Sequence, residues 1–186
     1  TSIIISGRST YSDWILKRIE NASFRNSSAN YYDGTAHISS KIGQNDKLDI
    51  SAYYSNDDFQ LNGDTTYSYQ NFNLAGHYKH AFSEKLFGTL SAIYSKYGFN
   101  VSSEKQALRS YDLAYSIQNI EGKAHFSYAL KEDHQVNFGI QIVNYSLSPG
   151  NLKPLAASSL VSPIDLEQEK AVTEKEAAIE AKKDER

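Results

Sequence analysis

The sequence predicts an all-β chain: an antiparallel up-and-down meander forming part of a transmembrane β-barrel, with a C-terminal tail that reads as helical or disordered. Three observations carry this. Apolar and polar residues alternate with a period of two over stretches of about ten residues, the length a tilted strand needs to cross a bilayer. The stretches are joined by connections that are alternately short and long, as in barrels whose turns share one end and whose loops share the other. No apolar run approaches the ~18 residues of a membrane helix, so a crossing would have to be made by strands.

Taken in order, Ser2–Tyr11 opens with the β-branched run Ile3–Ile5 and reads as a strand. Asp13–Ile19 has a short helical spacing of Trp14, Ile15 and Ile19, and Ser23–Asn30 is a Ser/Asn-rich loop. Tyr32–Ile42 alternates, turns at Gly43–Asp46, and resumes with Leu48, Ile50, Ala52 and Tyr54 set against Asp49, Ser51, Tyr53 and Ser55. Asn56–Tyr67 is polar, contains Asn62-Gly63-Asp64, and is expected to be a loop. Phe72, Leu74, Gly76 and Tyr78 then alternate with Asn73, Ala75, His77 and Lys79; Phe82–Lys85 turns the chain, and Leu86–Ser95 returns. Gly98–Asp112 is expected to be a long connection, followed by a less regular start at Leu113–Ile120. The clearest hairpin is Lys123–Leu147. Ala124, Phe126, Tyr128 and Leu130 form one arm, Val136, Phe138, Ile140 and Ile142 the other, with a polar turn at Lys131–His134. About seven strands are thus expected within residues 1–150, with 151–186 a loop and charged tail.

Composition narrows the function classes. The chain has 14 Tyr and 8 Phe, no Cys and no Met. Lack of Cys removes disulfide and thiolate–metal schemes, and lack of an initiating Met suggests a processed product or a segment. A formal charge of −3 argues against a nucleic-acid binder. The mean hydropathy of −0.55 fits a soluble protein but equally a barrel, whose strands spend only alternate residues on lipid. Tyrosine abundance suits membrane interfaces.

No catalytic pattern emerges, and the chain is not expected to be an enzyme. It lacks a G-x-S-x-G elbow, a P-loop and a GxGxxG turn. His37, His77, His80, His125 and His134 fall in no ligand spacing, and His77 and His80, three apart on a strand, point to opposite faces. Asp57, Asp58 and Asp64 do not follow a calcium-loop spacing, so a solvated loop is the plainer account. No cofactor or metal is expected. Trp14 with Tyr11 reads as an anchor at the membrane rim or as packing within a loop.

Ser2–Leu16, SIIISGRSTYSDWIL, resembles an early barrel strand of TonB-dependent outer-membrane receptors of the Bacteroidetes type. Asp133–Gly139, followed by Tyr145–Gly150, is similar to a later strand of that family and its exit at Pro149-Gly150. The resemblance covers roughly residues 1–150. It implies a 22-stranded barrel around a plug, nutrient uptake energised by the TonB complex through that plug, and a place in the bacterial outer membrane. Only about seven of those strands, and neither plug nor TonB box, are recognisable here, so a fragment is expected. In that frame the short turns face the periplasm and the long loops the exterior. Asp49, Ser51, Tyr53, Asn73, His77, Lys79, His125, Asn137 and Gln141 would line the lumen, and Leu48, Ile50, Leu74, Tyr78, Leu90, Phe126, Phe138 and Ile140 would face outer-membrane lipid. Tyr53, Asn73, His77, His125 and Gln141 are the candidate ligand contacts, the ligand being a chelate, saccharide or peptide. The tail departs from the family: Glu176–Glu185 lacks the aromatic of the corresponding strand, and Leu166–Arg186 is helical by propensity.

Two rival readings stand beside this one. A structural or adhesive outer-membrane barrel would share the pattern without transport. A soluble β-barrel binding an apolar ligand would place Phe126, Phe138 and Ile140 inside.

Overall fold

In the computed structural model, which describes residues 1–131 and 134–165, the alternating stretches become strands that pair in chain order. β1 (Ser2–Tyr11) is followed by two single-turn helices, α1 (Asp13–Leu16) and α2 (Ala22–Arg25). Then come β2 (Ser28–Lys41), β3 (Asp46–Leu61), β4 (Thr65–Ala81), β5 (Leu86–Ser103), a 3-10 turn (Ala107–Arg109), β6 (Tyr111–Lys131), β7 (His134–Pro154) and a two-residue β8 (Ile164–Asp165). Each pairs antiparallel with its predecessor, giving one eight-stranded meander. The expected turn at Lys131–His134 includes residues 132 and 133, and the expected helical or disordered tail begins at 166. Both lie outside the described residues.

Three connections differ from expectation. Asn56–Tyr67 is not a loop: β3 runs on to Leu61 and β4 restarts at Thr65. Between them Asn62 (φ 54°) and Gly63 (φ 64°) make a tight turn closed by the Asp64 N–H donating to the Leu61 carbonyl at 3.2 Å. Two consecutive positive φ values match the right-handed twist of a hairpin, and Asn-Gly adopts them at low cost. The Asn-Gly pair was the informative signal; the polarity around it was not. Likewise β5 continues to Ser103, so the connection expected over Gly98–Asp112 shrinks to 104–110. Pro149-Gly150 does not end its strand. Gly150 (φ 147°) sits in a bulge, where Tyr115 faces an extra residue between the pairs Ala114–Asn151 and Ser116–Ser148, and β7 goes on to Pro154. Of the expected loop Ser12–Asn30, residues 12–27 remain outside strands. They are tied down by α1, by α2 capped through Asn21, and by Asp13 accepting the Ala29 N–H at 3.3 Å. Trp14 is exposed there, with the Arg18 guanidinium 5.3 Å from its ring.

Opposed residues in an antiparallel ladder share a face, so the register assigns every side chain. One face carries the ladder Ile3–Ile38–Ile50–Gly76–Ala92–Gly122–Ile142, flanked by Leu48–Tyr78–Leu90–Ala124–Ile140 and by Ile5–Ala36–Ala52–Leu74–Tyr94–Ile120. The other carries Ser2–Ser39–Asp49–His77–Ser91–Lys123–Gln141 and its polar neighbours. Phe126 and Phe138 also fall on the apolar face.

Among the described residues no second layer covers either face, and the only buried hydrophobic residues are Ala75 and Val101. Of the buried residues on β2 to β5, Asp33, Asp49, Ser55, Ala75 and Val101 belong to the polar face, against Asn56 and Gly88 on the other. Equal-sized side chains make the comparison clean: Ala75 is buried on that face, while Ala92 on the apolar face of the next strand is exposed. In a single layer, side chains lose water mainly by crowding one another, as they do on the inside of a curve. The polar face is therefore the inner one, and most large apolar residues of the other face are exposed, from Ile50 at 37% to Ile5 at 76%.

The outer apolar band has sharp limits. With the β3–β4 turn taken as the upper end, its last residues are Tyr32, Tyr54, Phe72, Tyr94, Ile120 and Ile142 on β2 to β7. Two residues further along, the same face carries Asn30, Asn56, Gln70, Lys96, Gln118 and Asn144. The limit also slopes. Successive partners of Tyr32 run through Asn56, Gln70, Gly98 and Ser116 to Ser148, so on β7 the limit lies 148 − 142, or six residues, lower after five strand steps. Six residues at about 3.4 Å against five steps of about 4.8 Å is a slope of about 40°. Barrel strands tilt by this much against their axis.

Aromatic rings frame the band. Near its upper limit Tyr32 and Tyr54 lie 6.0 Å apart between ring centroids, and Phe72 and Tyr94 likewise 6.0 Å. At the lower end His80, Phe82, Phe126 and Phe138 form a chain with spacings of 4.5, 6.2 and 5.4 Å. Gly88 leaves room for the Phe82 ring; a Cβ there would come within 2.8 Å of it.

Candidate functional site

The inner face is the candidate binding surface, and polar contacts within and between strands run along it. The Asp49 carboxylate meets Lys47 Nζ at 3.0 Å and Lys79 Nζ at 3.7 Å. His77 Nδ1 shares a hydrogen bond of 2.8 Å with Ser91 Oγ, and His37 Nδ1 one of the same length with Ser51 Oγ. Gln141 Nε2 donates to Glu121 Oε1 at 2.8 Å. Higher, at the β1–β2 edge, Arg8 Nε donates to Asp33 Oδ2 at 2.8 Å, and the Tyr31 hydroxyl donates to the same carboxylate.

All five residues predicted from sequence lie on this face, but they do not converge. Tyr53 and Asn73 are direct cross-strand partners. His77 and Gln141 share a ladder row two rows lower, separated by three strand steps of about 4.8 Å each, or about 14 Å. His125 sits one row lower still, opposite Thr89 and Gly139. His80 instead faces outward and hydrogen-bonds Asp46 through Nδ1 at 2.6 Å. Among the described residues no three His, Cys, Asp or Glu side chains are grouped to hold a metal ion.

What the structure does bring together was not foreseen. At the upper end of the inner face Phe59, Tyr67, Tyr69, Phe99 and Tyr115, from four strands, form a continuous aromatic patch. Phe99 is its centre, 4.8 Å from Tyr69, 4.8 Å from Tyr115 and 6.4 Å from Tyr67 between centroids. Phe59 extends it, 6.5 Å from Tyr67, beside a hollow of about 570 Å³ at the hairpin tip that Asn62 and Asp64 also line. The signal was present: Tyr67, Tyr69, Asn71 and Asn73 are one unbroken period-two series. The polarity of residues 56–67 and 98–112 reads as loop, where side chains have no defined face, and this hides the series. Clustered rings, tilted against one another by 31° to 51°, with adjacent amide and carboxylate groups are suited to a ligand with both apolar and hydrogen-bonding surface.

No protein-family model matches the chain, and no curated protein matches it. Among solved structures it is similar to the translocator domain of autotransporter NalP from Neisseria meningitidis, with a TM-score of 0.46 and 13% identity. The likeness covers 70% of this chain and 47% of that one, so the chain spans about half that domain's length. Similarity at this level carries no conclusion about function.

Proposed function

We propose that this chain is part of the wall of a bacterial outer-membrane β-barrel, with its apolar face in lipid and its polar face toward an aqueous interior. The observation that carries this is the outer band: exposed aliphatic residues framed by aromatics, bounded above by Asn30, Asn56, Gln70, Lys96, Gln118 and Asn144, and sloping by about 40° across the strands. A single sheet with such a face in water would violate the two-layer rule of soluble domains. In lipid the band is solvated, and closure of the sheet by further strands pairs the backbone groups that β1 and β7 leave free. The soluble alternative needs Phe138 and Ile140 inside, whereas the register puts them on the face opposite the buried Asp49, Ser55 and Ala75, which supports the lipid reading.

The finer reading is a TonB-dependent receptor that takes up a nutrient, as the resemblance of Ser2–Leu16 and Asp133–Gly150 implies, with the TonB complex as partner through a plug. Ligand contacts then fall to Tyr53, Asn73, His77, His125 and Gln141 and to the aromatic patch above them. No catalysis is assigned. The placement is tested by expressing the protein with its native upstream sequence and fractionating the envelope. A heat-modifiable, β-rich band in the outer membrane is expected, and recovery in the soluble fraction overturns the reading. The ligand surface is tested by Phe99→Ala. It should lower binding of the transported compound at least about tenfold, about 1.4 kcal/mol, with no change in membrane assembly.

A further inference from the structure

The charges of the inner face are sorted by height. On β1 to β5, Arg8, Asp33 and Asp57 stand in its upper half, whereas Lys41, Lys47, Asp49 and Lys79 stand at its lower end. Lys41, Lys47 and Lys79 are direct cross-strand partners, so three lysines share one ladder row on strands about 4.8 Å apart. Thr89 is next in the row. One carboxylate answers them. Asp49, buried one row above, meets Lys47 Nζ at 3.0 Å and Lys79 Nζ at 3.7 Å. Among the described residues Lys41 forms no ion pair. Three positive charges against one negative leave this end with a net charge of +2. The row also borders a hollow of about 220 Å³, which Thr89 and the turn residues Gln44 and Asn45 line together with the three lysines. Ala81 and Phe87 line it from the same face. Asp46, His80 and Gly88 reach it as well, but by register they belong to the outer face, where the Tyr78 hydroxyl and His80 Nδ1 hold the Asp46 carboxylate.

We infer that the lower end of the inner face binds a phosphate group, free or as the terminal group of a larger solute. Its charge of about −1.5 to −2 at neutral pH complements the net charge of the lysine row and Asp49. Its oxygens accept from Lys41, Lys47 and Lys79 together, with the Thr89 hydroxyl as a neutral donor. A single carboxylate has two oxygens and one charge, and leaves part of the row unanswered. Asp49 is a positioning residue. It draws the Lys47 and Lys79 ammonium groups together before the anion arrives, so less side-chain freedom is lost on binding. The site is separate from the aromatic patch at the upper end, and it stands on the register of β2 to β5 rather than on the uptake reading.

The test uses the protein expressed with its native upstream sequence, purified from the fraction that holds it and titrated with inorganic phosphate by calorimetry at neutral pH. Lys41→Gln and Lys79→Gln should each weaken binding at least about tenfold, the loss of one hydrogen bond to a charged group. Lys123→Gln, on the same face but on β6, should bind as wild type. Acetate should bind at least about tenfold more weakly than phosphate, since it makes one charged contact fewer. Glycerol 3-phosphate separates the two sources of the group. Affinity equal to that of inorganic phosphate supports the terminal group of a larger solute, and its exclusion supports free phosphate. Absence of phosphate binding overturns the inference, as does equal binding of acetate. An equal loss in Lys123→Gln also overturns it, by marking diffuse attraction to a basic surface. Recovery of the protein in the soluble fraction overturns the membrane placement instead, and the same titration then still decides the phosphate site.

Discussion

Ile142 and Gln141 are neighbours in β7 that face different surroundings. Ile142 is 68% exposed on the apolar band, whereas Gln141 points inward and donates to Glu121. Arginine at Ile140, on the same face and midway along the band on β7, would place a charge in hydrocarbon, so Ile140→Arg should cost about 2–4 kcal/mol in lipid bilayers. Gln141→Arg should cost little, because Glu121 already stands opposite. Urea unfolding of the two variants in vesicles checks this, and equal losses would contradict the two-sided assignment. Asp46 lies just below the band on β3 and offers a pH test. The Tyr78 hydroxyl, at 2.5 Å, and His80 Nδ1, at 2.6 Å, hydrogen-bond its carboxylate and hold its pKa below the usual value. A folded-state pKa below the unfolded one means that the unfolded chain binds the proton more readily. The contribution is thus complete above the ordinary carboxylate value of about 4 and is lost as pH falls through the lowered pKa. Asp46→Asn should remove that part of the acid-side decline in urea midpoint. The inward or outward direction of Gln141, Ile142 and Asp46 was legible from period-two spacing. The hydrogen-bond partners of Asp46 were not, because Tyr78 and His80 come from another strand at a sequence separation of 32 and 34 residues.

At the scale of elements, the hairpins are longer than the membrane requires. β6 and β7 each run for 21 residues, about twice the 9–11 a tilted crossing uses. The excess carries the aromatic patch on one side and polar residues such as Gln70, Lys96, Gln118 and Asn144 on the other, so the faces exchange character above the band. The β3–β4 turn depends on Gly63 at a positive φ. Gly63→Val should cost about 1–2 kcal/mol and loosen the hairpin tip, seen as faster amide exchange at Leu61 and Thr65 with unchanged exchange at Ile50 and Gly76. Uniform exchange changes would show that the hairpin does not fold as this register describes. The period-two pattern marks every long strand but stops β3, β4, β5 and β7 short. A stretch such as Ser68–Gln70 is polar enough for a loop, and only pairing with Gly98–Asn100 makes it a strand.

At the scale of the molecule, the sheet is one layer with a band of exposed aliphatic side chains and two edges. Such a surface associates in water, since both the unpaired backbone of β1 and the apolar face find partners in other copies. The isolated chain is therefore expected to sediment as aggregate in aqueous buffer and to stay dispersed, with its β amide signal, in detergent. A monomeric chain in plain buffer would contradict the lipid-facing band.

The sequence by itself determined which side chains share a face, because the alternation of a strand is set by local covalent geometry and needs no partner. It also determined that the chain is all-β, since its apolar residues recur at two and not at 3.6. Tertiary structure alone decided where the strands end, how the band slopes, and that Phe59, Tyr67, Tyr69, Phe99 and Tyr115 meet. These depend on register: how far one strand slides along the next is fixed by hydrogen bonds between residues distant in the chain, and no single strand's pattern contains that displacement.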